Sequence, residues 1–310
     1  MGEKFPRFVA VGEALTDLIR VDGDLWTSKN GGSIWNVARA VATLGVDSAF
    51  AGAVSNCCFG DALWSASAAA GLDLRFLQRV ERPPLLAIVA QSDPPHYFFI
   101  GNDAADLHFD PHRLPGGWQE HVAWAHFGSI SLVRQPLAGR LLELAAQLHE
   151  QGVAISYDAN VRTLMDERYL PVFERMCRLA DLVKLSDEDL AGLLKTDRPS
   201  RALAEIRTWN AAAWWLYTEG AKGATLYSPD GEWSAVPPAI ALVDSVGAGD
   251  ACVAGLIASR LASPEKTPGH HLAVAVAAGS AACRYAGANP PPPEAVADLL
   301  ARIDVRRLRP

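Results

Sequence analysis

The run Asp244-Ser245-Val246-Gly247-Ala248-Gly249-Asp250 sets a carboxylate at each end of a Gly-Ala-Gly turn and leads straight into a small-residue stretch. Glycines let successive backbone N–H groups turn toward one point, and a helix N-terminus adds partial positive charge there. Amides so aimed bind an anion, most usefully a phosphoryl group in transfer. Asp250 beside them can take the proton from an attacking hydroxyl. The helix end favours its ionised form, which makes it a weak base, adequate where transfer is largely dissociative. A capped helix start explains the same seven residues. A Walker A loop does not, because no Gly-x-x-x-x-Gly-Lys-Ser/Thr occurs in the chain.

Four further groups carry chemistry. In Asn30-Gly31-Gly32-Ser33-Ile34-Trp35-Asn36, the Gly31-Gly32 pair permits close backbone approach, and Asn36 offers a donor and an acceptor. With Asp17 on the preceding strand, that set suits a polyhydroxylated ligand; alone, Asp17 reads as a solvated strand charge. Tyr157-Asp158-Ala159-Asn160-Val161-Arg162 falls at the C-terminal end of an expected parallel strand, the edge where open α/β sheets bind ligands. Arg162 can fork onto a phosphate or a substrate oxygen, or pair with Asp158 at the surface. Lys184-Leu185-Ser186-Asp187-Glu188-Asp189 and Thr218-Glu219-Gly220-Ala221-Lys222-Gly223 look like nucleotide contacts. An acidic first helical turn and a double-glycine hairpin account for them equally well. The histidines show no metal-ligand spacing.

The elements that must position these groups follow from hydrophobic period. Phe8 to Gly12 reads as a first strand, and Leu15 to Leu25 alternates like a half-exposed strand or hairpin. Ile34 to Leu44 has helical period and ends at Gly45. Leu85 to Gln91 and Tyr97 to Ile100 read as strands joined by the turn Ser92-Asp93-Pro94-Pro95. From about residue 121 strands and helices alternate, and two small-residue helices, Ala251 to Leu261 and His271 to Tyr285, precede a last helix through Ile303. That rhythm predicts a mainly parallel sheet covered on both faces. The stretches near 13–30 and 82–106 break it and fit a small β-layer capping a ligand crevice. One α/β domain spanning 1–310 with that β-lid is therefore expected.

Composition narrows the class. Half of the 310 residues are hydrophobic and 20% are charged, as in a soluble globular protein. A net charge of −7 argues against a nucleic-acid partner. The start Met1 to Arg7 lacks an apolar signal region, and no apolar run reaches membrane-spanning length. Five scattered cysteines without a Cys-x-x-Cys pair read as buried thiols in a reducing cytosol.

Taken in order, these segments resemble the ribokinase-type sugar kinases, the phosphofructokinase-B family. The resemblance rests on Gly31-Gly32-Ser33-Ile34-Trp35-Asn36-Val37-Ala38, then Leu44-Gly45, Ala51-Gly52, Phe59-Gly60-Asp61, and on Asp244 to Ala251 with Gly255. It implies a Rossmann-like three-layer α/β/α fold with a β-sheet lid that supports homodimers. It implies ATP, Mg²⁺ and a small sugar as ligands, and a cytoplasmic enzyme. By that resemblance Asp250 is the catalytic base and Gly247, Ala248 and Gly249 form the anion hole. Asp17, Gly31, Gly32, Asn36, Asn102 and Arg162 match sugar positions; Lys184, Ser186, Thr218, Gly220, Gly223 and Asn289 match nucleotide positions. Asp244 stands where relatives hold K⁺, and Asp189 where a water-mediated Mg²⁺ is organised. Phe127-Gly128-Ser129-Ile130, Asp158 to Arg162 and Val183 to Ser186 are most similar to fructokinases and aminoimidazole riboside kinases. Fructose is the first expected substrate; aminoimidazole riboside, 2-keto-3-deoxygluconate or ribose, or a non-catalytic sensor, are the alternatives.

Overall fold

The computed structural model describes residues 4–92 and 95–309. The first three residues of the N-terminal run and the centre of the expected 92–95 turn lie outside them. The chain opens with β1 (Phe8–Val11), whose side chains alternate between the two faces of a sheet. Phe8 and Ala10 enter one apolar core, Val9 and Val11 the other. A strand apolar on both faces can only be central.

From β1 the chain leaves the sheet for β2 (Leu15–Asp22) and β3 (Leu25–Gly31), then returns through α1 (Ser33–Thr43) and β4 (Ser48–Ser55). After α2 (Cys58–Ala69) and β5 (Leu77–Val80) it leaves again for β6 (Leu86–Ser92) and β7 (Pro95–Ile100). The two hairpins join side by side, β2 pairing with β6 in parallel from Thr16–Leu86 to Ile19–Val89. Their sheet has the order β3-β2-β6-β7.

The remaining strands extend the main sheet: β8 (Trp124–Gly128), α3 (Leu137–Glu150), β9 (Ala154–Asp158), α4 (Leu170–Leu179), β10 (Leu182–Ser186), α5 (Asp187–Leu194), α6 (Pro199–Ile206) and β11 (Trp214–Thr218). Next come β12 (Ala224–Ser228), β13 (Gly231–Val236), α7 (Ala248–Ala262), α8 (Pro268–Ala282), α9 (Pro293–Leu300) and β14 (Asp304–Arg309). The main sheet has the order β14-β13-β12-β11-β10-β9-β8-β1-β4-β5. It is parallel from β5 to β11 and antiparallel beyond; the short turns joining β11, β12 and β13 leave no length for a crossover, while β14 returns to the edge after three helices.

The expected fold class is therefore observed, with three strands added. β5, β13 and β14 were not expected from the sequence; the last helix ends at Leu300, and β14 follows the expected helix end at Ile303. Its Val-Arg-Arg-Leu-Arg pattern lacks the apolar alternation of a covered strand, since it forms the exposed edge. The cysteines are all free, but Cys58 is exposed and Cys57 and Cys283 are half-buried, so only Cys177 and Cys252 match the expected burial. Among the described residues no helix is long and apolar enough to cross a membrane.

Candidate active site

α1 and α7 begin side by side, at the ends of two loops more than two hundred residues apart in sequence. Ser33 and Asn36 lie three residues apart, so one helical face carries both. The Ser33 hydroxyl donates to Asp250 Oδ1 at 2.6 Å, and the Asn36 amide donates to Oδ2 at 2.9 Å. Burial raises the Asp250 pKa, while Ser33, Asn36, Lys184 and Arg162 pull it back. The carboxyl is thus aimed and kept more basic than a surface aspartate. Asn36 Oδ1 is buried and has no protein partner.

The turn ahead of α7 depends on Gly247, which adopts φ 80° at the N-cap, where a Cβ would stand 2.8 Å from Ala288. No side chain caps this helix. The Ala248 N–H turns back to Ser245 O at 3.2 Å, so the open end of the turn belongs to the Gly249 and Asp250 amides. Ala248 therefore drops out of the expected anion hole.

Asp17, Gly32, Asn36, Arg162, Gly247 and Asp250 line one cleft between the two sheets, with Tyr97 and Phe99 of β7 closing it from the lid side. Gly31 allows the approach of Asp17, whose carboxylate would collide with a Cβ there. Burial lifts the Asp17 pKa to about 6, partly offset by Arg162. Asn102, by contrast, is exposed on the turn after β7 and does not line the cleft, because Gly101 is held down by Arg134. Arg162 does not pair with Asp158: its guanidinium donates to Val161 O, and Asp158 faces Lys184.

Lys184 lies beneath this cleft. Its ammonium is 3.2 Å from Asp158 Oδ1, 3.6 Å from Asp189 Oδ2, and 3.4 Å from where a Cβ on Gly249 would stand. Burial works against its charge, but Asp158 and Asp189 outweigh that and raise its pKa. Burial also lifts Asp158 to about 6 despite the ammonium. Lys184, the expected nucleotide contact, is thus a buried cation under the anion turn.

Ser186 and Asp189 form a reciprocal cap at the start of α5. Asp189 Oδ2 accepts the Ser186 N–H at 2.8 Å and Oδ1 accepts the Val161 N–H at 2.7 Å, while the Ser186 hydroxyl accepts the Asp189 N–H. Both oxygens of Asp189 accept a backbone N–H and so shape the loop beside the expected Mg²⁺ position. Among the described residues no three His, Cys, Asp or Glu side chains cluster to hold a metal. Mg²⁺ held by phosphates and water needs only a carboxylate or two, and Asp158, with Oδ2 buried and unpartnered, fits that demand. At Asp244, the position expected for K⁺, a carboxylate and two backbone carbonyls stand together. The Asp244 oxygens accept the Val246 and Gly287 N–H groups at 3.0 and 2.8 Å, and the Ala286 and Gly287 carbonyls accept from Asn289.

The expected nucleotide residues fall along the carboxyl edge of the same sheet. Thr218 ends β11 beside Ser186 of β10, Gly220 and Gly223 form the turn that follows, and Asn289 closes the loop packed on Gly247. Sequence reasoning assigned no role to Ser33 or Glu13. The Ser33–Asn36 spacing was the available signal for the first, and an acidic residue wedged between apolar Val11 and Ala14 for the second.

Residues 6–295 match the pfkB family of carbohydrate kinases. A fructokinase of Escherichia coli is 32% identical over 257 residues, covering 80% of this chain and 82% of that protein. Among solved structures, fructokinase with bound ATP from Xylella fastidiosa superposes with a TM-score of 0.87 at 26% identity, over 96% of this chain and 99% of that one. Aminoimidazole riboside kinase from Salmonella enterica, complexed with aminoimidazole riboside and an ATP analog, gives 0.82 at 25% identity, over 94% and 99%.

Proposed function

The chain belongs to the pfkB family of carbohydrate kinases, and from that premise we propose that it transfers the γ-phosphoryl group of ATP to a primary hydroxyl of fructose in its furanose form. One observation carries the reading: Asp250, aimed by Ser33 and Asn36, lines the same cleft as Asp17 and Arg162. Asp17 and Arg162 hold the sugar hydroxyls through charge-assisted bonds, and Asn36 accepts one at its unpartnered Oδ1. Asp250 accepts the proton of the attacking hydroxyl, a contribution of about 10²–10⁴ in rate. The Gly249 and Asp250 amides face the charge that builds on the phosphoryl oxygens, with Lys184 beneath them. Bound Mg²⁺ would neutralise phosphate charge, and Asp158 is the residue that would hold it through water. Thr218, Gly220, Gly223 and Asn289 line the path of the nucleotide.

The four-stranded sheet is the lid of a single unit, and excludes water that would otherwise hydrolyse ATP. Its outer residues Val21, Leu25, Trp26, Phe98 and Ile100 are exposed apolar groups that support pairing with a second copy. The enzyme works in the cytoplasm on small molecules alone. Aminoimidazole riboside is the second substrate reading, favoured by the likeness to the kinase solved with that ligand.

A coupled ADP-release screen over hexoses, ribosides and keto-acid sugars tests the assignment. Fructose is expected to give the highest kcat/KM, and Asp250→Asn is expected to bind the sugar while losing turnover by orders of magnitude. No ADP above background with any sugar, or an active Asp250→Asn enzyme, rejects it.

A further inference from the structure

Glu13 has no part in the chemistry set out above, yet it belongs to the same cleft. It stands in the short link that carries the chain from β1 in the main sheet to β2 in the lid. Its side chain is 1% exposed, and Oε2 has no partner. A buried carboxyl with an empty oxygen is costly, and a site that keeps one needs a reason. Burial lifts its pKa to about 7; hydrogen bonding with Ser131 and Ser129 lowers it, and Asp106 raises it further. Asp106 lies behind, held by Arg134 at 2.7 and 3.0 Å. Across the cleft stand Asp17, Arg162 and Asp250.

In front of Glu13 the cleft wall is formed by Ser129 and Asn160, at the ends of the neighbouring parallel strands β8 and β9. Both hold left-handed backbone, with φ 54° at Ser129 and 41° at Asn160. For residues with a Cβ this conformation is uncommon, and strain of this kind gathers where a ligand must be met in one geometry. The Asn160 amide points to Ser129 Oγ at 3.4 Å, and its own N–H is fixed by Asp158 Oδ1 at 3.0 Å. Neither residue is needed for sheet pairing.

We propose that Ser129 and Asn160 form a specificity pair for the acceptor sugar, and that Glu13 is the positioning residue that sets the direction of the Ser129 hydroxyl. This rests on the reading of the cleft as the sugar site. Ionised Glu13 accepts the Ser129 O–H, which turns the serine oxygen toward the cleft as an acceptor beside the Asn160 amide. A sugar hydroxyl then donates to Ser129 and accepts from Asn160. Protonated Glu13 donates in its turn, and the serine hydroxyl is no longer held.

The test is steady-state kinetics of wild type, Glu13→Gln and Ser129→Ala with fructose, or with whichever sugar the screen accepts best, between about pH 5.5 and 8.5. Wild-type sugar KM is expected to fall as pH rises through about 7. Glu13→Gln should lose that component and show a sugar KM about tenfold higher at pH 8, the effect of one hydrogen bond, with ATP KM and kcat within about twofold. Ser129→Ala should raise sugar KM similarly and also lose the Glu13 component; it carries the test if the glutamine variant does not fold. A merely structural Glu13 would shift kcat, both KM values and thermal stability together, leaving the sugar pH response in place. That pattern, or variants with wild-type sugar KM at every pH, overturns the proposal while the kinase reading stands. A wild type that turns over no sugar overturns both.

Discussion

Ser33 Oγ lies 2.6 Å from Asp250 Oδ1, a bond that spans 217 positions of sequence and joins the first turns of α1 and α7. On the proposed reading, the helix that carries Asn36 to the sugar thereby also aims the base. Movement of α1 on sugar binding would be felt at the carboxylate directly.

Ser33→Ala tests that coupling. Burial raises the Asp250 pKa, and the Ser33 bond is the largest influence lowering it. Without the hydroxyl the pKa climbs. A base acts only when ionised, so activity is lost as pH falls through its folded pKa. The acid limb of the kcat profile should therefore move to higher pH, and the deficit of the variant should be greater at about pH 6 than at about pH 8. A charge-assisted bond of about 1.5–3 kcal/mol is removed, so the loss at the lower pH should reach roughly tenfold or more. A profile parallel to wild type would disconnect Ser33 from the base.

Lys184→Met leaves Asp158 and Asp189 buried without their cation. Removing one partner of a buried pair costs about 3–5 kcal/mol, whereas replacing both partners with neutral groups costs far less. Urea unfolding should show that loss for Lys184→Met and recover much of it in Lys184→Met/Asp158→Asn. Equal stability of the single variant and wild type would mean that the ammonium is dispensable to the fold.

What was legible in the sequence divides along the same line. Local pattern revealed the Gly-Ala-Gly turn before α7, the Gly31-Gly32 loop before α1, and the strand–helix alternation, because each is a property of neighbouring residues. Partnerships between segments were not legible. Asp158 and Arg162 sit four apart, and sequence left open whether they pair or Arg162 meets a ligand; strand register places Asp158 opposite Lys184. Asp189 had the position of a metal organiser, while its oxygens cap a helix and hold Val161. β14 was hidden because an exposed edge strand carries no apolar alternation. Glu13 was passed over because the groups that act on its carboxylate, Ser129, Ser131 and Asp106, come from distant segments.

Glu13 also predicts how stability depends on pH. Its folded pKa, about 7, exceeds the ordinary 4.5, so its contribution is fully present below about pH 4.5 and lost as pH rises through about 7. The difference corresponds to something on the order of 3 kcal/mol. Glu13→Gln does not ionise, and should gain on wild type in unfolding free energy between about pH 5 and 8. Denaturant titrations at both ends of that window give the comparison. A constant gap would mean that the glutamate stays ionised throughout.

Gly247→Ala addresses the turn itself. The residue holds φ 80° and would press its methyl within 2.8 Å of Ala288. Left-handed backbone at a non-glycine costs about 1–3 kcal/mol, so the fold should survive with a lower melting temperature. Relief of the contact needs the 286–289 loop to retreat or the turn to flatten. That loop is tied to the turn by Asp244, which accepts the Gly287 and Val246 N–H groups together. Either movement swings the Gly249 and Asp250 amides away from the phosphoryl path. Loss of one such donor costs about 10²–10³ in kcat. The residues proposed to hold the sugar are Asp17, Asn36 and Arg162, away from Ala288, so sugar KM should change by less than about threefold. Parallel assays of kcat and sugar KM read the two effects apart. A variant with wild-type kcat would show that these amides hold no charge in the transition state.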